Sequence, residues 1–201
     1  MKKCSVCGKE CKQLRKGMCN RHYRQFMKYG EIKLTIYDSN EIVEYEDYAE
    51  VILYNKQCEE VARALIDLED IEKVKDIKWC LGRNGYVHNK KVGFLHRLIM
   101  DCSEDMVVDH INHNILDNRK ENLRICTHSQ NSMNQSVSNR NTSGIKGVSY
   151  DKSRNKWLAR ITFNQKHINL GRFNTLEEAV EARKQAELEY FGEYRNKEDE
   201  E

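Results

Sequence analysis

The spacing of hydrophobic residues predicts short helices and strands rather than one broad core. AEVILY, residues 49–54, is apolar almost throughout and predicts a buried strand. KWCLGRNGYVHNKK predicts a hairpin that turns at Asn84 and Gly85. ALIDLEDIEKVKDI predicts a short acidic helix or turn, and GFLHRLIM, residues 93–100, has its apolar side chains at helical spacing. This mixture predicts an α+β chain.

A second group of elements is predicted between residues 106 and 134. MVVDHI and LRIC are short and mainly apolar, which predicts two strands. The segment between them, INHNILDNRKEN, is rich in Asn and Asp, residues that form turns readily. Thr127 predicts the N-cap of a helix that carries Asn131. The local order is therefore strand, loop, strand and helix.

The C-terminal pattern predicts a three-stranded antiparallel meander. Strands are expected at residues 145–150, 156–163 and 166–170, because apolar and polar positions alternate there. The second connection is a tight turn at Asn164-Gln165. The sheet is therefore expected to have one apolar and one polar side.

A helix is predicted after this sheet, from a capping box at Thr175 and Glu178 to about Tyr190. Its apolar stripe is expected to pack on the apolar side of the sheet, which carries Trp157, Ala159, Ile161, Phe163, Ile168 and Leu170. The polar side, with its neighbours, shows Lys146, Lys156, Arg160, Thr162, His167, Asn169 and Arg172.

Charge is segregated along the chain, although the formal net charge is only +2. Residues 1–28 carry nine Lys or Arg against one acid, residues 38–70 are mostly acidic, and residues 140–172 are basic again. Basic ends suit a protein that binds a polyanion at several places. The acidic run at 67–70 has two interpretations, a metal-binding cluster or a solvated helix start, and the second is favoured.

Composition limits the class of protein. Charged residues make up 33% of the 201 residues and hydrophobic residues only 39%, which favours several small modules. No apolar run approaches the roughly 20 residues that a membrane span needs, so a soluble protein without membrane contact is expected. Eight cysteines without a hydrophobic signal segment predict a reducing compartment, where thiols bind metals or pack as small apolar groups.

The first 30 residues contain two close pairs of metal-binding side chains. Cys4 and Cys7 form a C-x-x-C pair, and Cys19 and His22 form a C-x-x-H pair. Such a set closes a tetrahedron around Zn²⁺, and a segment this short and polar needs a clamp of this kind to fold. Cys11 is the alternative ligand. The pattern resembles the small zinc ribbons found at the front of many phage nucleases, so the zinc is expected to be structural.

VVDHINHNILDNRKENLRICTHSQNSMN resembles the ββα-metal active site of HNH endonucleases, especially the phage and intron homing type. The resemblance rests on Asp109-His110, on Asn122 within ENLR, and on Gln130-Asn131 at the expected intervals. It implies a Mg²⁺ or Mn²⁺ ion held by oxygen ligands and a neutral imidazole that takes a proton from water. Adjacent strand residues point to opposite faces, so one Asp-His pair can supply both functions.

By this resemblance His110 is the general base, and Asp109 is one metal ligand. Asn131 is the other ligand, facing Asp109 from the helix; the family name has a histidine there, and Asn is compatible with the homing-type subgroup. Asn122 would brace the loop through side-chain hydrogen bonds and so fix the orientation of His110.

Five further residues are candidates for roles at this site. His128 lies one helical turn before the amide ligand and could replace it, and His113 is close enough to compete for the role of base. Arg119 and Arg124 are candidates for phosphate contact, although Arg124 could equally pair with a local carboxylate. His96 is either part of the active site or a packed core histidine.

GVSYDKSRNKWLARITFNQKHINLGRFNTLEEAVEARKQAE resembles the plant ethylene-response-factor (Apetala) DNA-binding domain, which also occurs fused to homing nucleases. The KW, LGRF and EEA elements carry the resemblance. It implies that the polar side of the sheet enters the major groove, where Arg and Asn bind base edges and Lys binds phosphates. Most base-contacting residues of the plant form are not reproduced, so no target sequence is implied.

Together these patterns predict a three-part DNA endonuclease with a zinc knuckle, a ββα-metal core and a three-stranded sheet plus helix. The expected bounds are 1–30 for the zinc ribbon, 31–134 for the nuclease with its core at about 93–134, 135–143 for a linker, 144–195 for the DNA-binding domain and 196–201 for an acidic tail.

The chain is expected to hydrolyse phosphodiester bonds of double-stranded DNA as a monomer or weak dimer, leaving 5′ phosphate and 3′ hydroxyl ends. The expected location is the cytoplasm of a bacterial host, with a phage or prophage gene. The alternative is a sequence-specific DNA-binding regulator with an inactive nuclease fold, and RNA binding is a weaker third reading. The enzyme is favoured because an inactive descendant would lose Asp109, His110 or Asn131 first, and all three are present.

Overall fold

Small sheets and short helices succeed one another along the chain, as the hydrophobic pattern predicts. In the computed structural model the residues described are 2–8, 10–32, 38–135, 137, 141 and 143–196. Parts of the predicted linker (136, 138–140 and 142) and of the predicted acidic tail (197–201) lie outside them. No helix within these ranges is both long and apolar enough to cross a membrane.

The strands are β1 (Lys2–Lys3), β2 (Glu10–Cys11), β3 (Ile42–Glu44), β4 (Ala49–Tyr54), β5 (Glu60–Ile66), β6 (Cys80–Leu81), β7 (Val87–Asn89), β8 (Gly93–Phe94), β9 (Val107–His110), β10 (Leu123–Cys126), β11 (Val148–Asp151), β12 (Lys156–Phe163) and β13 (Lys166–Phe173). The α-helices are α1 (Asn20–Tyr29), α2 (Ile71–Val74), α3 (Leu95–Ile99), α4 (His128–Met133) and α5 (Leu176–Phe191). Single 3₁₀ turns lie at Leu68–Asp70, Lys120–Asn122 and Gly192–Tyr194.

The chain divides into two units, which do not follow chain order. Unit 1 holds the residues up to Asp101 together with Asn114–Asn122. Unit 2 holds Cys102–His113 together with the residues from Leu123 onward. The predicted nuclease segment therefore contributes residues to both units.

Unit 1 is built on the antiparallel sheet β3-β4-β5, with β4 in the centre. The strand predicted at 49–54 is confirmed, and its residues Val51 and Leu53 are fully buried. The acidic segment after it begins later than expected: residues 64–66 extend β5, because they pair with β4, and the 3₁₀ turn and α2 follow. The hairpin at Asn84-Gly85 is confirmed by the pairing of β6 with β7.

The loop Asn114–Asn122 is attached to the end of β5. The backbone N–H of Leu65 donates to Leu116 at 2.8 Å, and the N–H of Asn118 donates to Leu65 at 2.9 Å. The acidic run helps, since the Asp67 carboxylate accepts from the Lys120 N–H at 2.8 Å. Asp70 is buried rather than solvated, and it forms ion pairs with Lys73 and Lys120. This run therefore braces the loop.

Unit 2 begins with the predicted order of strand, strand and helix. β9 pairs antiparallel with β10, so that Leu123 lies opposite His110. α4 starts at the predicted cap, where the Gln130 N–H donates to the Thr127 hydroxyl at 3.2 Å and the Thr127 N–H donates back to the Gln130 side chain at 2.9 Å. This reciprocal pair is a capping box, which fixes where the helix begins.

The rest of unit 2 is the antiparallel sheet β11-β12-β13 with α5 packed on its apolar side. The predicted bounds of β12 are confirmed, whereas β13 runs on to Phe173 and β11 begins only at Val148. The later start of β11 follows from a close approach between Gly147 and a distant part of the chain. Gly147 has φ +78°, and a Cβ at this position would lie 2.3 Å from the carbonyl oxygen of Arg160. The chain therefore turns at Gly147 before it can extend.

The short helix α4 shares a core with this C-terminal sheet. Met133 packs in one cluster with Ile161 of β12 and with Ala186 and Phe191 of α5. Apolar burial of this kind is worth about 25 cal/mol per Å². The predicted catalytic helix and the predicted DNA-binding sheet are therefore joined within unit 2.

Candidate active site

Cys4, Cys7, Cys19 and His22 lie together near the N-terminus, with their ligand atoms all within 4.8 Å of one another. The first two lie at the turn after β1, while Cys19 caps α1, which carries His22. His22 Nδ1 lies 3.5 Å from the Sγ atoms of both Cys4 and Cys19. Three thiols and one imidazole in this arrangement fit a tetrahedral Zn²⁺ ion. Cys11, on β2, is not part of this group.

The surroundings of these ligands favour metal binding. Burial acts to raise the pKa of Cys4, but hydrogen bonds from His22 and from nearby backbone N–H groups lower it to about 5. Cys4 is therefore a thiolate at neutral pH, which is the form that binds zinc. On the far side of the imidazole, His22 Nε2 lies 3.0 Å from the carboxylate of Asp38. A carboxylate in this position is typical of metal-binding histidines, because it fixes the ring.

Asp109 and His110 end strand β9, and both are buried, at 7% and 5% exposure. Their side chains point to opposite sides of the strand, as adjacent residues of a strand do. Buried polar groups need hydrogen-bond partners. Asp109 finds partners on β10 and just after α4, so the ββα arrangement itself holds the pair.

Asn134, directly after α4, is one of these partners. Its Nδ2 donates to Oδ1 and Oδ2 of Asp109 at 3.1 and 3.0 Å, and it also donates to the backbone carbonyl of His110 at 3.2 Å. Its Oδ1 lies 3.2 Å from Nε2 of His113. Asn134 is not among the residues that the sequence pattern predicts, although its position one helical turn after Asn131 is a signal for it.

Arg124 on β10 is the second partner of Asp109. Its Nε and Nη2 donate to Oδ2 at 2.8 and 2.6 Å. Of the two roles expected for Arg124, phosphate contact and pairing with a local carboxylate, the structure shows the second. Its Nη1 donates to the backbone carbonyl of Glu193 at 2.6 Å, and its guanidinium lies 4.8 Å from the ring centre of Tyr194. Arg124 is therefore fixed from two directions.

Asn131 lies half-buried on α4, on the helix face that also presents Asn134. α4 packs against β9, the strand that carries Asp109. A carboxylate and an amide oxygen are hard ligands, which Mg²⁺ and Mn²⁺ prefer. By donor type, Asp109 and Asn131 therefore suit such an ion. The nearby thiol of Cys126 does not, because burial raises its pKa to about 11 and keeps it neutral.

Asn122 belongs to unit 1, where it is buried in the loop that precedes β10. Its Nδ2 donates to the carbonyl of Asp117 at 2.9 Å, and the Asp117 carboxylate in turn binds Arg119 at 2.8 Å. Arg119 also pairs with Glu121 at 2.7 Å. The Asn122 side chain thus stabilises the loop. Arg119, a predicted phosphate contact, forms ion pairs with two carboxylates in this structure.

The remaining histidines have different surroundings. His96 is buried in unit 1 and stacks on Phe94, with ring centres 5.4 Å apart, which matches a packed core histidine. His113 has φ +62° in a tight turn and contacts Asn134. His128 is exposed at the first position of α4.

The polar side of the C-terminal sheet presents most of the predicted DNA-contacting residues to solvent. Register pairs Arg160 with Asn169 and Thr162 with His167 across β12 and β13, and all four are exposed. Exposed Arg172 lies within 3.5 Å of Asp151, and Lys156 is half-buried at the start of β12.

Lys146 differs from the other predicted DNA contacts. It is half-buried, and its ammonium donates to the carbonyl of Ser132 at 2.7 Å and to that of Gln135 at 3.3 Å. Desolvation, with the nearby charge of Arg183, lowers the pKa of Lys146. This side chain therefore ties the sheet to the end of α4.

A groove of about 950 Å³ runs between the polar side of the sheet and α4. Arg160, Thr162 and His167 line it from the sheet, while His128 and Ser129 line it from the start of the helix. The candidate base-contacting residues and the helix of the candidate active site therefore border one continuous groove within unit 2.

Two protein families match separate parts of the chain. The HNH endonuclease family matches residues 94–133, and the AP2 domain family matches residues 143–193. The first range contains all four residues of the predicted motif. The second contains the three-stranded sheet and α5.

Two viral proteins are similar to this chain over part of its length. An uncharacterized HNH endonuclease of Acanthamoeba polyphaga mimivirus is 32% identical over 139 residues, which cover 65% of this chain and 72% of that protein. Protein 3.8 of Escherichia phage T7 is 37% identical over 70 residues, which cover 35% of this chain and 58% of that protein. No solved structure matches the chain significantly.

Proposed function

The chain belongs to the HNH endonuclease family, and from that membership we propose that it is a homing-type enzyme that cuts double-stranded DNA at directed sites. The observation that carries the proposal is the buried Asp109-His110 pair at the end of β9, held by Asn134 and Arg124 beside α4. Burying polar side chains is costly unless they are hydrogen-bonded, and Asp109 has partners on both β10 and the residue after α4, which supports a role for this pair beyond packing.

In the proposed reaction His110 is the general base and takes a proton from the attacking water. Asp109 and Asn131 would hold a Mg²⁺ or Mn²⁺ ion, which would supply stabilisation of the charge on the phosphate and on the leaving 3′ oxygen. Asn134 holds the backbone of His110 and the carboxylate of Asp109 at the same time. Asn122 steadies the loop that leads into β10, the strand paired with His110.

The N-terminal cluster is proposed to bind a structural Zn²⁺ ion through Cys4, Cys7, Cys19 and His22. A segment of about 30 polar residues buries little apolar surface, so metal binding would supply much of its folding free energy. Arg24 and Lys28 on α1 are available to phosphates, whereas Arg21 binds the carboxylate of Asp38.

The polar side of the C-terminal sheet is proposed to read DNA in the major groove. Arg160 and Asn169 would bind base edges, and Lys156 and Arg172 would bind phosphates. Sequence recognition would then be separate from cleavage, because a small ββα site contacts mainly the DNA backbone and carries little base information. We propose a monomer or weak dimer that acts in the cytoplasm of a bacterial host and is encoded by a phage or prophage, as its similarity to a protein of Escherichia phage T7 favours.

Replacing Arg160 by alanine is expected to weaken binding to the true target by about tenfold or more, the usual effect of losing a base contact. Binding to random DNA should weaken much less. The target would first be selected from a randomised duplex library, and both affinities would then be measured by competition.

Lys184→Ala is the matched control, because Lys184 is exposed on α5, the helix on the other side of the sheet. It should leave both affinities unchanged. Equal losses on target and random DNA in Arg160→Ala would reduce Arg160 to a phosphate contact.

The chemistry of the cut ends tests the proposed reaction. Nicks made by the protein should be sealed by DNA ligase without further treatment, because ligase needs a 5′ phosphate beside a 3′ hydroxyl. Nicks that ligase seals only after a 3′ phosphate has been removed and a 5′ phosphate added would contradict the proposed leaving group.

A further inference from the structure

At the proposed metal site, the charge of Asp109 is balanced by the charge of Arg124. Asp109 contributes one negative charge, and Asn131 and Asn134 contribute none. Arg124 places one positive charge on the same carboxylate, with Nη2 2.6 Å and Nε 2.8 Å from Oδ2. The charge that would attract a divalent cation is therefore already balanced.

Arg124 is held in this position and is not simply lying nearby. Its side chain is only 15% exposed. The Glu193 carbonyl accepts from Nη1 at 2.6 Å, and the Tyr194 ring lies beneath the guanidinium at 4.8 Å. Both anchors belong to the 3₁₀ turn Gly192–Tyr194, which follows α5. The C-terminal module thus supplies the support for a charge placed on the nuclease strand pair.

A cation at Asp109 would meet this positive charge at close range. Repulsion between a unit charge and a divalent ion roughly 6 Å apart would lower the affinity for the ion about tenfold even at the dielectric constant of water. Mg²⁺ gives up its water reluctantly and is usually bound through one or two carboxylates together with phosphates of the substrate. The proposed site offers one carboxylate, that of Asp109, and its charge is balanced by Arg124.

We propose that Arg124 keeps the affinity of the Asp109 site for divalent metal low until a DNA phosphate supplies the missing negative charge, so that metal and DNA bind together. The inference rests on the proposed function for the identity of the ligands. Linkage then requires that metal raise the affinity for DNA by the same factor by which DNA raises the affinity for metal. Unbound enzyme would carry little metal, and the site would be completed on DNA.

Binding of Mn²⁺ to the zinc-loaded, full-length protein, measured by electron paramagnetic resonance without DNA, tests this directly. Arg124→Gln keeps a hydrogen-bond donor but removes the charge, and it should bind Mn²⁺ at least about tenfold more tightly than the wild type. Asp109→Asn should abolish that binding, which identifies the site. Thermal melting would confirm that each variant is folded.

Substitutions in the supporting turn provide the matched controls. Tyr194→Leu removes the ring under Arg124 and should raise Mn²⁺ affinity in the same direction, by a smaller factor. Tyr190, like Tyr194, packs against the core cluster around Ile161 and Phe191, but its ring contacts Phe163. Tyr190→Leu should therefore leave the Mn²⁺ affinity unchanged. Glu193→Ala should also have no effect, because Glu193 contributes its backbone carbonyl to Arg124.

Adding a random-sequence duplex gives the second readout, with Asp109→Asn as the blank for metal bound by DNA alone. DNA should raise the Mn²⁺ affinity of the wild type at least about tenfold, and that of Arg124→Gln by less. An Arg124→Gln protein that binds Mn²⁺ no better than the wild type would overturn the inference. Failure of DNA cleavage with these binding results intact would instead count against the proposed function alone.

Discussion

Replacing His110 by alanine is expected to lower the rate of DNA cleavage by about 100- to 10,000-fold, the usual contribution of a general base. Binding of DNA and of divalent metal should stay close to that of the wild type. The reason is local: Asn134 binds the backbone carbonyl of His110, which alanine keeps, and it binds Asp109 separately. Single-turnover nicking rates, measured beside DNA and Mn²⁺ affinities, check this result.

Three histidine variants provide the comparison. His88→Ala, in the β6-β7 hairpin of unit 1, should cleave like the wild type. His113→Ala and His128→Ala test the two alternative assignments. If either of them lost cleavage while His110→Ala retained it, the assignment of the general base would be wrong.

Replacing Cys19 by serine is expected to remove stoichiometric zinc from the purified protein. Cys19 is one of four ligand groups within 4.8 Å of one another, and it also donates its backbone N–H to Cys4 Sγ at 3.2 Å. Structural zinc contributes on the order of 10 kcal/mol to the folding of small metal-bound units. The N-terminal module should therefore unfold, which zinc analysis by mass spectrometry and limited proteolysis would show.

Cys4→Ser should behave in the same way, whereas Cys11→Ser should keep its zinc, because Cys11 is not part of the ligand group. Unit 2 should stay folded in all three variants, since its core is formed by its own residues. Stoichiometric zinc in Cys19→Ser would contradict the four-ligand assignment.

The elements that sequence predicts best are those fixed by local spacing. The predicted N-cap at Thr127 and the predicted capping box at Thr175 depend on residues within one helical turn, and both are confirmed. The two zinc-ligand pairs are likewise local, and they come together as expected. The start of β11 shows the limit, because the turn at Gly147 is imposed by a close approach to Arg160, which is distant in sequence.

The support of the candidate sites depends on contacts that spacing does not encode. Asp38 reaches His22 across 16 positions in the sequence, and Arg124 reaches Glu193 across 69. Neither Asp38 nor Glu193 lies in a sequence pattern that indicates its partner. Asn134 is the exception, since its position on the same helix face as Asn131 could have indicated its role. Sequence therefore indicates the candidate reacting residues, and the structure adds the residues that contact them.

The most direct test of the central claim is incubation of supercoiled plasmid with the purified protein and Mg²⁺ or Mn²⁺, beside a chelator control. The proposed endonuclease should convert supercoiled DNA to open circles, and the chelator should abolish this. Linear product from the outset would indicate paired cuts by two active sites. Tight, metal-independent DNA binding without cleavage of any DNA would contradict the enzyme and favour a DNA-binding regulator with an inactive nuclease fold.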